Sequence, residues 1–64
     1  MKRRELIRYL VAQGCELVRE GGNHAWWRNP FDNRRTAIPR HQEIPDLMAR
    51  KICRDLGVED IKVH

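Results

Sequence analysis

A chain of 64 residues holds one small domain, which excludes a multidomain enzyme, a dinucleotide-binding fold and a deep substrate tunnel. Thirteen Lys and Arg against nine Asp and Glu give a formal charge of +4, so an anionic partner is expected. Nine of the basic but only four of the acidic side chains lie in residues 1–41, so the anion-binding surface is predicted there.

The first predicted element is a helix over residues 3–13. Its apolar stripe comprises Leu6, Ile7, Leu10 and Val11. Gly14 supplies a C-terminal stop, whereas the start lacks a good N-cap and has basic side chains at the positive end of the helix dipole. This unfavourable placement indicates that the charge serves binding.

Three short strands are predicted next, at residues 15–20, 24–29 and 34–39. Residues 21–23, Gly-Gly-Asn, favour a hairpin turn between the first two, and residues 30–33, Pro-Phe-Asp-Asn, favour a second turn. Three strands joined by short turns predict an antiparallel meander.

A second helix is predicted to begin at Pro45 and to end before Gly57. Its predicted apolar stripe comprises Ile44, Leu47, Met48, Ala49, Ile52, Cys53 and Leu56. Two helices with apolar stripes need one apolar sheet face, so the prediction is an α+β, two-layer α-β-β-β-α sandwich over residues 1–64. The opposite sheet face is then open to solvent or to a partner. Residues 58–64 receive no predicted structure.

Side chains of the second strand alternate between the two faces of the sheet. The face beneath the helices is predicted to carry Ala25, Trp27 and Asn29, and the open face His24, Trp26 and Arg28. An imidazole moves protons near neutral pH, an aromatic ring stacks on bases and a guanidinium holds phosphate, which together are typical of a site acting on RNA. A histidine beside a glycine turn is also a common surface residue, so this pattern alone leaves catalysis open.

Other kinds of site find little support in the sequence. Cys15 and Cys53 lack the spacing of a zinc site, so two reduced cysteines in or near the core are expected. The acidic residues are scattered, so no metal and no cofactor are expected, and RNA cleavage would use the ribose 2′-hydroxyl as nucleophile. The absence of a signal-peptide core or a long apolar run predicts a soluble cytoplasmic protein with no membrane partner.

Several short motifs, in their order along the chain, resemble HicA, the toxin of HicAB toxin–antitoxin modules. They are the opening Met1-Lys2-Arg3-Arg4-Glu5-Leu6-Ile7, Gly14, Leu17-Val18-Arg19, Gly21-Gly22-Asn23-His24, Ile38-Pro39-Arg40-His41 and Leu56-Gly57. The resemblance covers residues 1 to about 58. It implies a double-stranded-RNA-binding-domain-like fold, an mRNA interferase that depends on one histidine after a glycine turn, and inhibition by a HicB-type antitoxin in a hetero-oligomer.

Carried onto this chain, the resemblance implies that His24 is the catalytic histidine and that Gly22 is in the matching turn. Asn23 stands where many members carry Ser, and Ala25 where many carry a second His, so no second imidazole is adjacent in sequence. His24 would act as general base on the 2′-hydroxyl or general acid on the leaving 5′-oxygen. One imidazole does not easily do both at once, so water or another side chain would fill the other role, and His41 is the side chain to test.

The remaining predicted site residues hold the RNA. The predicted RNA-binding set is Lys2, Arg3, Arg4, Gly22, Trp26, Arg28, Arg34 and Arg35, in which the arginines and Lys2 contact phosphates and Trp26 stacks on a base. Two alternatives remain open: a non-catalytic RNA-binding module of the same fold, and a basic surface that binds an acidic protein only.

Overall fold

The computed structural model describes residues 1–62, which form two helices and one sheet. Their order is α1 (Arg3–Ala12), β1 (Glu16–Glu20), β2 (His24–Asn29), β3 (Arg34–Pro39) and α2 (Asp46–Asp55). The sheet is antiparallel with β2 in the centre. The predicted α+β sandwich with a double-stranded-RNA-binding-domain-like order of elements is therefore confirmed. Residues 63 and 64 of the unassigned C-terminal segment lie outside the described residues.

The core lies between the helices and one face of the sheet. It is formed by apolar side chains from both layers, including Leu6, Leu10, Cys15, Ala25, Trp27, Ile38, Ile44, Ala49, Ile52, Cys53 and Leu56. On β2 and β3 the buried positions alternate, so that one face packs on the helices and the other stays open. Both cysteines are buried and unbonded, as predicted.

Each helix ends in a Schellman motif at a glycine. Gly14 (φ +90°) donates its backbone N–H to the Val11 carbonyl, and Cys15 donates to the Leu10 carbonyl. Gly57 (φ +71°) closes α2 with the equivalent bonds to the carbonyls of Arg54 and Cys53. The left-handed backbone at these positions favours glycine, which is why the two predicted stops were placed correctly.

The predicted apolar stripes of the helices were too wide. Val11 is 55% exposed, Leu47 76% and Met48 40%, whereas narrower stripes are buried on both helices. A three-stranded sheet offers only a small apolar face, so each helix buries a narrow arc against it. Pro45 is the N-cap of α2 rather than its first helical residue. Within residues 1–62, neither helix has the length and apolar character needed to cross a bilayer.

Candidate functional site

The central strand presents His24 and Trp26 on the open face of the sheet, as predicted. Both side chains are exposed, and Arg28 on the same face is partly covered. Their neighbours Ala25, Trp27 and Asn29 are buried beneath the helices. His24 pairs with Pro39 at the end of the sheet where β3 finishes, so the segment after Pro39 lies beside the histidine.

A surface cavity of about 450 Å³ surrounds His24, and its wall contains the second predicted histidine. It is lined by Gly22, Asn23, His24, Arg40 and His41. Arg40 ties the two sides together, because its backbone N–H donates to the Asn23 carbonyl at 3.2 Å and its Nη1 donates to the Gly21 carbonyl at 3.3 Å. The cavity therefore unites the glycine turn, His24 and the segment after β3.

The start of α1 is anchored beside this cavity. Arg3 donates its backbone N–H to the Gln42 carbonyl at 2.8 Å and its Nε to the Pro39 carbonyl at 2.9 Å. An antiparallel bridge between Lys2 and Glu43 continues the contact. The basic opening of the chain and the histidine are consequently brought to the same end of the molecule.

A second, larger cavity of about 760 Å³ lies along the first turns of α1 and is here called the basic groove. The groove is lined by Lys2, Arg3, Arg4, Ile7, Arg8, Arg40 and Gln42. Arg4 and Arg8 are one helical turn apart and so lie on one side of α1. Arg40 lines both cavities, which makes the His24 cavity and the basic groove neighbours.

The cationic side chains of the groove differ in the ion pairs and hydrogen bonds that they already make within the protein. Lys2 pairs with Glu43 at 2.5 Å, and this hydrogen bond raises the pKa of Lys2 and lowers the pKa of Glu43. Arg3 donates a hydrogen bond from its Nε to the Pro39 carbonyl. Arg4 and Arg8 make no ion pair within residues 1–62. The guanidinium groups of Arg4 and Arg8 are therefore not engaged by a carboxylate of residues 1–62.

A depression of about 270 Å³ on the open sheet face is lined by Trp26, which is 41% exposed. Val18, Arg19 and Arg35 line it with the indole. A bulge in β1 between Leu17 and Arg19 breaks the alternation there. Neither arginine has a carboxylate partner in the described part of the chain, so an aromatic surface lies between two unpaired guanidinium groups.

Besides Lys2, two more of the predicted phosphate ligands have a carboxylate partner. Arg28 Nη2 forms an ion pair with Oε2 of Glu16, its cross-strand neighbour. Arg34 lies at the opposite end of β2 from His24, on the order of 17 Å away at about 3.4 Å per residue. There it pairs with Asp32 at 3.2 Å and donates to the Arg54 carbonyl.

Sequence reasoning missed three arginines at these sites: Arg8, Arg19 and Arg40. Arg8 had a signal, since it follows Arg4 by one helical turn. Arg40 lies in a loop, and its place between the two cavities depends on hydrogen bonds across the chain. Arg19 joins the open face beside a β-bulge, which simple alternation does not predict.

A protein-family model described as the HicA toxin of bacterial toxin–antitoxin systems matches residues 3–58. Comparison with curated proteins and with solved structures returned no match. The matched region includes both helices, all three strands and every residue that lines the His24 cavity. The chain therefore belongs to the HicA toxin family of bacterial toxin–antitoxin systems.

Proposed function

We propose that this toxin is an mRNA interferase, a metal-independent endoribonuclease in which His24 transfers a proton during cleavage. The observation that carries the proposal is the cavity that the exposed His24 and Arg40 line together, next to a groove with several cations. Guanidinium and ammonium groups hold the phosphate backbone of RNA, and imidazole is the side chain suited to proton transfer near neutral pH.

The reaction uses the RNA as its own source of the nucleophile. The 2′-oxygen forms a bond to the adjacent phosphorus while its proton passes to a base, and the bond from phosphorus to the 5′-oxygen breaks as that oxygen gains a proton. The products are a 2′,3′-cyclic phosphate and a 5′-hydroxyl. Arg40 lines the cavity with most of its N–H donors outside the Gly21 bond, so it supplies positive charge for the phosphate in the transition state.

The RNA strand runs from the His24 cavity into the basic groove. Arg4 and Arg8 contact backbone phosphates there, with Lys2 and Arg3 contributing at the edge of the groove. These contacts supply affinity without selecting a base sequence. Trp26 and Arg35, on the open sheet face with His24, hold the strand on its other side by stacking and charge.

A HicB-type antitoxin neutralises the toxin by covering the His24 cavity in a hetero-oligomer. Family membership supports this assignment, since a toxin of such a system has an antitoxin. The net positive charge of residues 1–41 suits an acidic protein surface as well as RNA. We place the protein in the cytoplasm, where its proposed mRNA substrate and antitoxin are found together.

The test is cleavage of RNA by the purified chain, with His24→Ala as the inactive variant. Cleavage is expected to persist in EDTA, to stop when the RNA carries a 2′-deoxyribose at the cut site, and to be suppressed by a HicB-type antitoxin. His24 is exposed, so the variant should fold, and its melting curve checks this. Equal cleavage by wild type and His24→Ala would overturn the role of the histidine.

Arg40→Gln and Arg54→Gln form a matched pair that tests the proposed RNA path. Both remove one positive charge, but Arg54 lies in the last turn of α2, next to Arg34 and far from His24. Arg40→Gln should weaken RNA binding and flatten its dependence on salt, because one fewer cation is neutralised by phosphate. An equal effect of Arg54→Gln would mean that total charge, rather than the groove, determines affinity.

A second function is favoured by the depression around Trp26. An indole beside two arginines that have no carboxylate partner among residues 1–62 is an arrangement that binds single-stranded RNA without any chemistry. Binding of RNA by wild type and by His24→Ala with no cleavage by either would identify a non-catalytic RNA-binding module. Binding of an acidic partner protein without RNA binding would instead indicate a surface dedicated to that partner.

A further inference from the structure

We infer that His41 is the proton-transfer partner of His24, so that the cavity holds a complete general acid and general base. The inference rests on the proposed ribonuclease function and deepens it. Transesterification of RNA removes one proton from the 2′-oxygen and adds another to the 5′-oxygen. A single imidazole does not readily do both in one step, which leaves one role unfilled by His24.

The structure brings the two histidines to one cavity although 16 positions separate them in the sequence. His24 begins β2, and its cross-strand partner Pro39 ends β3. The chain continues through Arg40 to His41, and both histidines line the same opening with Gly22 and Asn23. Both side chains are exposed, as a group that meets a polymer substrate must be.

The segment that carries His41 is held on both sides. On one side, Arg40 is bonded to the carbonyls of Gly21 and Asn23 in the turn before His24. On the other side, the Gln42 carbonyl accepts the backbone N–H of Arg3 at 2.8 Å. His41 therefore lies between two anchors rather than at the tip of a free loop. Such anchoring positions a proton-transfer group before substrate arrives.

Charged groups around the pair suit an anionic transition state. Arg40 is the charged side chain that lines the cavity with the histidines. From α1, Arg3 contacts the same segment at Pro39 and Gln42, and the Lys2–Glu43 pair follows it. One histidine takes the 2′-hydroxyl proton as the P–O2′ bond forms, and the other gives its proton to the 5′-oxygen as the P–O5′ bond breaks.

The test compares His41→Ala and His41→Asn with wild type in RNA cleavage and RNA binding, with Gln13→Ala at the far end of α1 as a control. Loss of one proton-transfer group is expected to slow cleavage by about 10²–10⁴-fold while RNA binding is kept. A bell-shaped dependence of kcat on pH should also lose one limb in the His41 variants. A merely structural role would lower the rate without changing the shape of the profile.

A second substrate identifies the acid. RNA with sulfur in place of the bridging 5′-oxygen has a leaving group that needs no proton. This RNA should restore cleavage to the variant that lacks the general acid, either His24→Ala or His41→Ala, and not to the other variant. If His41→Ala cleaves RNA at the wild-type rate and with the wild-type pH profile, the inference of a His24–His41 pair is overturned, but the proposed ribonuclease function is not. Rescue of neither variant would also overturn it. No cleavage by wild type would overturn both the pair and the proposed function.

Discussion

Replacement of Asn29 by alanine should destabilise the protein strongly, although Asn29 lies outside the proposed site. Asn29 is 5% exposed and is one of the polar links between the sheet and the end of α2. Nδ2 donates to the Leu56 carbonyl at 2.7 Å, and Oδ1 accepts the backbone N–H of Phe31 at 3.1 Å. Leu56 is the C-cap of α2, so its carbonyl has no bond within the helix.

The magnitude follows from these two bonds. Each is worth about 1 kcal/mol net, and a buried acceptor left without a donor costs about 1–3 kcal/mol. The Phe31 N–H is only partly buried and can bond to water, whereas the Leu56 carbonyl is enclosed. Asn29→Ala should therefore lower the free energy of unfolding by about 2–4 kcal/mol. A domain of this size has roughly 3–10 kcal/mol in total.

The assay is urea unfolding followed by circular dichroism, with Asn23→Ala as the matched control. The Asn23 side chain is exposed and makes no hydrogen bond within residues 1–62, so its removal should change stability by less than about 0.5 kcal/mol. Asn29→Asp keeps an acceptor for Phe31 but presents a carboxylate to the Leu56 carbonyl, and should lose at least as much as Asn29→Ala. Near wild-type stability of Asn29→Ala, or equal loss in Asn23→Ala, would refute the reasoning.

Two further stability predictions follow from the helix end and the cysteines. Gly57→Ala places a Cβ on a residue with φ +71°, 2.6 Å from Asp32 Oδ2, so urea unfolding should show a free energy of unfolding lower by about 1–2 kcal/mol. Gly22→Ala is the control, because the space around Gly22 is open and its stability should not fall. Equal stability of the two variants would contradict this prediction. Burial raises the pKa of the Cys15 and Cys53 thiols, so the folded state favours their neutral form over the thiolate. The resulting contribution to the free energy of unfolding is fully present below the ordinary thiol pKa and is lost as the pH rises above it. The urea midpoint should fall from pH 7 to about pH 10, and fall less in the Cys15→Ala/Cys53→Ala double variant; an identical fall in both proteins would contradict the assignment to the thiols.

Much of the fold was predictable because its signals are local. Gly14 and Gly57 marked helix ends through backbone conformations that other residues rarely adopt. Alternation along β2 correctly divided its six side chains between a buried and an open face. The helix stripes were overestimated at Val11 and Leu47, because the width of a buried arc depends on the size of the sheet that faces it.

The candidate site was predicted less completely. Local pattern and family resemblance pointed to His24 and to the basic start of α1, and both lie at the same end of the molecule. Arg28 and Arg34 were predicted to hold phosphates, and the structure places a carboxylate beside each of them. Whether a cation is free depends on which acid the fold places beside it, and charge counting along the chain does not contain that information.

The sequence by itself determined the order of elements, the two faces of the central strand and the family, since these follow from periodicity, glycine stops and short motifs. Only the tertiary structure decided that His41 and His24 line the same cavity and that Arg40 lines both this cavity and the basic groove. The physical reason is that these neighbours meet through hydrogen bonds between the β1–β2 turn, the end of β3 and the start of α1. Those segments are remote in sequence, and their contact exists only once the sheet and α1 have packed.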